Sequence, residues 1–312
     1  MGVTADIIAP RASRAPAAHA GERRLRFLKP WALLAPALIC LGLFTYWPVA
    51  SVLVDSLFAR RLGDKTAAFV GLGNYIRLLA DAKFAAAALN NLLYAMGSVI
   101  PSIVLALIFA LLLKQSSAFN RAIRAMLFFP TMVPLIAAAA LWTFLFLPTL
   151  GLIDYYLGRL LPISINWLGD PDSALWAITL VTVWKNAGYY MLFYLAALQS
   201  MPEELIEAAI LDGAGPWQRF RHVILPLLGP TTVFVRVIAF AQAITTVDHV
   251  IVMTHGGPND ATTLLLYYIF QTATEVHDPG KAAAATVITL VVLSAVSTFG
   301  IRSLDRRGLY AS

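Results

Sequence analysis

Charge is scarce in this chain. Asp, Glu, Lys and Arg make up 13% of 312 residues and hydrophobic residues 59%, whereas ordinary soluble proteins carry roughly 25% charged residues. That balance excludes a large soluble core and indicates a chain that crosses a bilayer several times. Cysteine is almost absent. Cys40 stands alone inside an apolar run, so no intramolecular disulfide can form and a zinc cluster built on cysteines is excluded. No Gly-x-x-x-x-Gly-Lys-Ser/Thr phosphate loop occurs, so the chain has no recognisable nucleotide site of its own; any ATP it uses is bound by another subunit. The histidines, His19, His222, His249, His255 and His277, form no cluster with acids at metal spacing, which counts against a membrane enzyme. Asp248 and His249 are adjacent, and adjacent helical residues point in different directions, which disfavours a metal pair. Asp248, near the end of a run, is the only acidic candidate within a span; a secondary transporter driven by an ion gradient would place coupling acids there.

Long apolar runs dominate what remains. Six are long enough to cross a bilayer, which takes roughly 20 helical residues. They lie near Trp31–Val54, Leu89–Leu113, Met126–Leu147, Ala174–Leu198, Thr231–Val252 and Ala282–Ile301. Residues 1–30, rich in Ala, Pro and Arg, are expected to be a flexible tail followed by a retained signal anchor, because the run after them is too long for a cleaved signal peptide. A membrane domain then covers 31–301, and 302–312 is a second short tail. Lys and Arg set the orientation. Fourteen of the 23 fall on the side of the N-terminal tail and seven on the other, with Lys185 and Arg236 inside runs. Five of the seven occupy the loop after the first run, which is long enough to fold on the outer surface. Both termini are therefore expected in the cytoplasm. The net charge of +6 is mostly this topology signal and not a nucleic-acid surface.

One polar stretch organises the second half of the chain, Gln199 to Pro230. Ser200 and Glu203 have the spacing of a capping box. Glu203 and Glu204 put negative charge at the positive end of a helix dipole. Gly213 suits the left-handed residue that ends a helix, and Pro216 suits the first turn of another. Pro226 is expected to restart the chain toward the next run. On the topology above this helix-turn-helix lies in the cytoplasm.

The residues of that stretch carry a resemblance. Glu207-Ala208-Ala209, three residues, Gly213, nine residues, Val223, one residue and Leu225-Pro226 resemble the EAA loop of permease subunits of ATP-driven (ABC) importers, with Val223 where the family usually has Ile. Further fragments follow in family order. Phe69-Val70-Gly71-Leu72-Gly73-Asn74-Tyr75, Asn90-Asn91, Phe129-Pro130, Trp184-Lys185 and Leu198-Gln199-Ser200-Met201-Pro202 are similar to segments of saccharide and glycerol-phosphate permeases. So are Met253-Thr254-His255-Gly256-Gly257-Pro258 with Ala261-Thr262-Thr263. Asp154 stands where family members often carry Asn. The resemblance covers nearly everything from Trp31 to Ile301.

The resemblance implies an all-α inner-membrane permease with six transmembrane helices, working by alternating access. It implies a second homologous permease, two copies of an ATPase that hold ATP and magnesium, and an external solute-binding protein. It implies that Glu207, Ala208, Ala209, Asp212 and Gly213 couple the chain to the ATPase, and that the turn Gly256-Gly257-Pro258 lies at the docking surface for the binding protein. Candidates for the substrate pathway are Lys185, Asn186, Tyr190 and Arg236. Charges within spans cost roughly 2.5–3.5 kcal/mol each on insertion scales, so Lys185 and Arg236 need a reason. Lys185 reads best as structural. Arg236 either snorkels to the inner surface or joins Lys185 in binding an anionic saccharide derivative or polyol phosphate; a neutral saccharide is the competing substrate.

Overall fold

The computed structural model describes residues 30–31, 33–59, 67–160 and 165–305. The expected tails lie largely outside the described residues, as do Arg60, Arg61 and Lys65. The chain divides into two compact units at Ser51/Val52. The first contributes the start of helix α1, Leu33–Asp55; the second contains everything discussed below.

Four helices among the described residues are long and apolar enough to cross a membrane: α1, α3 (Ala82–Leu112), the Gly229–Met253 segment and the last helix up to Gly300. The expected run Met126–Leu147 is not one rod. It folds as α4, Ala118–Met132, and α5, Leu135–Leu145, bent by 100° at Val133-Pro134. Pro134 has no N–H to continue the ladder and pushes Val133 into an extended conformation, with ψ 129°. Counting the bent pair as one span gives five. Helix α7, Pro171–Gln199, is 29 residues long, but Trp184-Lys185-Asn186 and its tyrosines lower its hydropathy below that of the others. The run Thr231–Val252 is likewise divided, into α11, Gly229–Thr245, and α12, Asp248–Met253. The break falls at β-branched Thr246 and Val247, residues poorly suited to a helix interior.

Shorter elements join these. Helix α2 is Gly73–Leu79, α6 is Leu152–Leu160, α8 is Glu203–Leu211, α9 is Pro216–Arg219 and α10 is Leu225–Leu227; α13 is Leu265–Thr274 and α14 is Pro279–Asp305. One departure from the all-α expectation is a two-residue ladder, β1 (Phe58–Ala59) antiparallel to β2 (Ala68–Phe69), with Phe58 opposite Phe69.

Helices α3 and α7 pack along one another and form the centre of the bundle. Small residues line their contact: a Cβ on Gly97 of α3 would meet Trp176 and Thr179 of α7 at 2.8 and 3.2 Å, and Ala95, Ala106 and Ala110 on α3 and Ala174, Ala177 and Ala187 on α7 are buried. In lipid the drive for such packing is close van der Waals approach, so small side chains favour it. Gly188 takes this furthest. A Cβ there would sit 1.8 Å from the Leu127 carbonyl oxygen, so α4 rests directly on the α7 backbone.

One end of the bundle is tied by polar contacts. Asn74 Nδ2 donates to the carbonyls of Ser56 and Phe58 at 2.8 and 2.9 Å. Arg77 pairs with Asp278 at 2.9 Å. Asp81 caps α3 by accepting from the Lys83 N–H, receives the Tyr268 hydroxyl at 2.6 Å, and pairs with Lys281. Burial alone would raise the Asp81 carboxyl, but the hydrogen bonds from Lys281, Tyr268 and the Lys83 N–H outweigh it and hold the group below its ordinary value. At the other end Arg124 donates to the carbonyls of Leu113, Lys114 and Gln115, satisfying the orphan acceptors that end α3.

Candidate functional site

A cavity of about 330 Å³ opens among α3, the α4–α5 elbow, α7 and α11. Its wall is unusually polar for an apolar bundle. Ser98 and Ser102 come from α3, Thr131 from the elbow, Thr182, Asn186, Tyr189 and Tyr190 from α7, and Gln242, Thr246 and Asp248 from the α11–α12 side. Some of these groups satisfy each other. Tyr94 and Thr182 share a hydrogen bond of 2.8 Å, and the Tyr190 hydroxyl donates to Gln242 Oε1 at 2.8 Å. Others are open. Ser102 Oγ is buried without a partner, and the side chains of Asn186 and Tyr189 make no hydrogen bond among the described residues.

Lys185 lines the same cavity, yet its ammonium is engaged. It donates to the carbonyls of Pro130 at 3.0 Å, Thr131 at 3.3 Å and Val133. These acceptors are freed where Pro134 breaks the span. Thr131 Oγ1 returns a hydrogen bond to the Lys185 carbonyl at 3.1 Å. A cation at a helix C-terminus satisfies orphan carbonyls and opposes the negative end of the dipole. Lys185 is thus a clamp on the elbow.

Arg236 is not in this cavity. It lines a separate groove of about 720 Å³ between α11 and α14. The expectation that Arg236 and Lys185 form one anion site is therefore corrected: the two cations line different spaces, and the Lys185 ammonium is held by three carbonyls. Asp248 faces the cavity, while His249 beside it is fully buried and stacks on Tyr94 with ring centroids 5.3 Å apart.

The Gln199–Pro230 stretch differs from expectation at its start. Ser200 does not cap α8. It ends α7, and its hydroxyl donates to the Ala197 carbonyl at 3.0 Å. Pro202 occupies the cap position with no side-chain hydrogen bond, and α8 begins only at Glu203. The end matches the sequence reading. Gly213 has φ +77°, with hydrogen bonds from Gly213 N–H to the Ile210 carbonyl and from Ala214 N–H to the Ala209 carbonyl, a Schellman motif. Pro216 opens α9, where Gln218 Oε1 accepts from the Gly215 N–H at 2.8 Å. Pro226 does not restart the chain; it lies in the short α10, after a π-helical turn at Phe220–Ile224. Glu207 and Ala208 are exposed, as are Leu211 at 88% and Trp217 at 68%, so this element presents exposed apolar side chains.

The Gly256-Gly257-Pro258 turn is built tightly. Gly256 has φ +78° and is buried; a Cβ there would meet Tyr267 at 2.5 Å and Thr263 Oγ1 at 2.7 Å. Thr262 and Thr263 donate to the Gly257 and Gly256 carbonyls at 2.7 and 3.2 Å. Asn90 donates to the Asp260 carbonyl at 2.9 Å, and Asn91 accepts from the Leu265 N–H, so the turn is fastened to the start of α3. The residues facing outward are His255 and Asn259, not the glycine.

Ser98, Ser102, Thr182 and Gln242 were not singled out from sequence. A signal was there. Tyr94, Ser98 and Ser102, and again Thr182, Asn186 and Tyr190, recur every four residues inside apolar runs, which places each trio on one helix face.

Comparison with known proteins agrees with this architecture. Residues 102–308 match the family described as binding-protein-dependent transport system inner membrane component. The chain is 33% identical over 285 residues to the sn-glycerol-3-phosphate transport system permease protein UgpA of Yersinia pestis, covering 90% of this chain and 95% of that one. It is 32% identical over 293 residues to UgpA of Escherichia coli, covering 92% and 97%. Its fold matches a chain in the crystal structure of a bacterial ABC transporter involved in the import of the acidic polysaccharide alginate, with TM-score 0.79 and 21% identity, over 92% of this chain and 99% of that one. These matches displace the secondary-transporter and membrane-enzyme readings. The chain belongs to the inner-membrane components of binding-protein-dependent transport systems, and it is a permease subunit of an ABC importer.

Proposed function

We propose that this permease forms half of a translocation pathway for a saccharide or sugar derivative and that the α3–α7–α11 cavity is the solute's station within the membrane. The observation that carries the reading is the row of hydroxyl, amide and phenol groups in that wall, several of them open, inside an otherwise apolar bundle. Such groups suit a hydroxylated solute, since Tyr offers a face for stacking and a hydroxyl for bonding. The relatives named for sn-glycerol 3-phosphate support the sugar-derivative class. Six spans follow if the α4–α5 pair is one broken span and α7, 29 residues long, is another despite its polar centre. Irregular backbone at membrane depth is tolerated where it lines a cavity, as the elbow does.

Both termini and α8 then lie in the cytoplasm. Glu207, Ala208, Ala209, Asp212 and Gly213 dock on an ATPase that binds ATP and magnesium, and the open apolar surface of Leu211 and Trp217 supports a protein partner there. Two ATPase copies and a second homologous permease complete the membrane complex. The turn at Gly256, Gly257 and Pro258, rigidly shaped and flanked by outward His255 and Asn259, faces the solute-binding protein. ATP works through differential affinity for inward- and outward-open states. The test is uptake by the complete importer in vesicles. Replacing Asn186 and Gln242 together by Leu should lower saccharide uptake roughly tenfold, the worth of one or two hydrogen bonds, with basal ATP hydrolysis retained. Uptake at the wild-type rate would sink the assignment of the cavity.

A further inference from the structure

The groove between α11 and α14 shares no lining residue with that cavity. Its walls are Val233, Val237 and Phe240 on one side and Ala295, Val296 and Phe299 on the other, and its volume is about 720 Å³. Arg236 is the only charged residue in the lining among the described residues. It is exposed within the groove and has neither a hydrogen bond nor an ion pair among the described residues. A guanidinium amid apolar side chains at membrane depth calls for an anion.

We propose that this groove holds one anionic phospholipid, with Arg236 on the phosphate and an acyl chain along the valine and phenylalanine walls. Arg236 lies seven residues into α11, so about 10 Å from its start at 1.5 Å per residue, within snorkelling reach of the headgroups. On the orientation given under Proposed function, on which this inference rests, that is the cytoplasmic leaflet, where anionic lipids draw basic groups. The planar guanidinium fork matches two phosphate oxygens. A protein helix is the less fitting occupant. Small residues already close α14 on α11, where a Cβ on Gly300 would meet Val237 at 2.5 Å, and the open part of the groove is lined by the bulky Leu225, Phe240 and Phe299, the last 79% exposed. Long flexible chains fill such walls better than a second helix does.

The experiment uses the assembled importer in mixed phosphatidylcholine and phosphatidylglycerol. Native mass spectrometry should find phosphatidylglycerol retained by the wild type, bound roughly tenfold more weakly by Arg236→Gln, and displaced by Val296→Trp, which fills the groove with the cation still present. A photoreactive residue at position 296 should label lipid. Equal retention in all three proteins, no retention by the wild type, or labelling of the second permease would each overturn the lipid site. The orientation has its own readout. A cysteine at Gln218, in a Cys40→Ser background, should react with impermeant maleimide only from the cytoplasmic face; reaction from outside would sink the orientation while lipid retention still judged the groove.

Discussion

Lys185→Met is the sharpest test of how the broken span is held. Methionine keeps the length of the stem and removes the ammonium from the carbonyls of Pro130, Thr131 and Val133, of which Pro130 keeps the Val133 N–H. A hydrogen bond from a charged donor is worth about 1.5–3 kcal/mol. The three share one ammonium and are not additive, and the half-buried group faces a cavity where water can replace part of the loss. The expected destabilisation is therefore about 2–3 kcal/mol in total, a factor of roughly 30–150 in the folded-to-unfolded ratio. Lys185→Arg should fall between, because a planar fork cannot point donors at three carbonyls converging on one atom. The assay is detergent-induced unfolding of the reconstituted permease, with hydrogen exchange read over residues 130–137. Faster exchange confined to the elbow, together with the loss of stability, is the expected result. If Lys185→Met unfolds within about 0.5 kcal/mol of the wild type and the elbow exchanges no faster, the clamp reading is wrong and Lys185 belongs with the solute.

Three further outcomes follow from the same geometry. Gly188→Ala should destabilise by about 1–3 kcal/mol, the usual cost of overpacking, because its Cβ would collide with backbone and not with a side chain that can turn away; thermal unfolding measures it, and a neutral substitution would mean that α4 does not rest on α7. Glu207→Lys should insert normally yet uncouple transport, read as loss of substrate-stimulated ATP hydrolysis and uptake; unchanged values for both would remove Glu207 from the ATPase contact. The Asp81 carboxyl is held below its ordinary value, so its contribution to stability is present above the unfolded pKa of about 3.9 and is lost as pH falls through the folded value. Asp81→Asn should accordingly melt lower than wild type at neutral pH, with the gap closing in acid; a gap independent of pH would mean that the charge on Asp81 contributes nothing.

Much of the architecture was legible because the chain must satisfy its backbone within lipid. Long apolar runs had to be helices, and their approximate positions follow from hydropathy alone. The breaks were harder to read. Pro130 and Pro134 were visible, but a proline within a span can be absorbed as a slight kink or open into a break, and the sequence does not distinguish the two; here the bend is 100°. At the head of α8 a local signal misled. Ser200 and Glu203 have capping-box spacing, yet Pro202 lies between them and takes the cap position itself, so the helix starts two residues later than the box requires. Gly213 was readable because its left-handed φ depends on the residue itself and not on neighbours: no atom lies within 4 Å of where its Cβ would be. The pairing of Lys185 with Arg236 failed for the opposite reason. Position along two spans says nothing of azimuth, and the two side chains line different spaces.

Helix α7 shows why the polar residues within a span had to be read together. Its low hydropathy is concentrated in one stretch, where Lys185 clamps the elbow, Asn186 and Tyr190 line the cavity, and Gly188 admits the α4 backbone. The same helix ends at Gln199 and passes through three residues into α8. The link from α7 to α4 has no slack, since Lys185 and Thr131 exchange hydrogen bonds in both directions and the backbone contact at Gly188 leaves no gap. Packed contacts of this kind move together or switch between discrete arrangements; they do not stretch continuously. A displacement of α7 would therefore carry the cavity wall and the elbow with it, and the elbow continues through α5 to its packing on α12, next to the Gly256 turn. The polar groups of α7 thus fall where cavity and elbow meet, and a hydropathic replacement of that stretch would yield a better span and a worse permease.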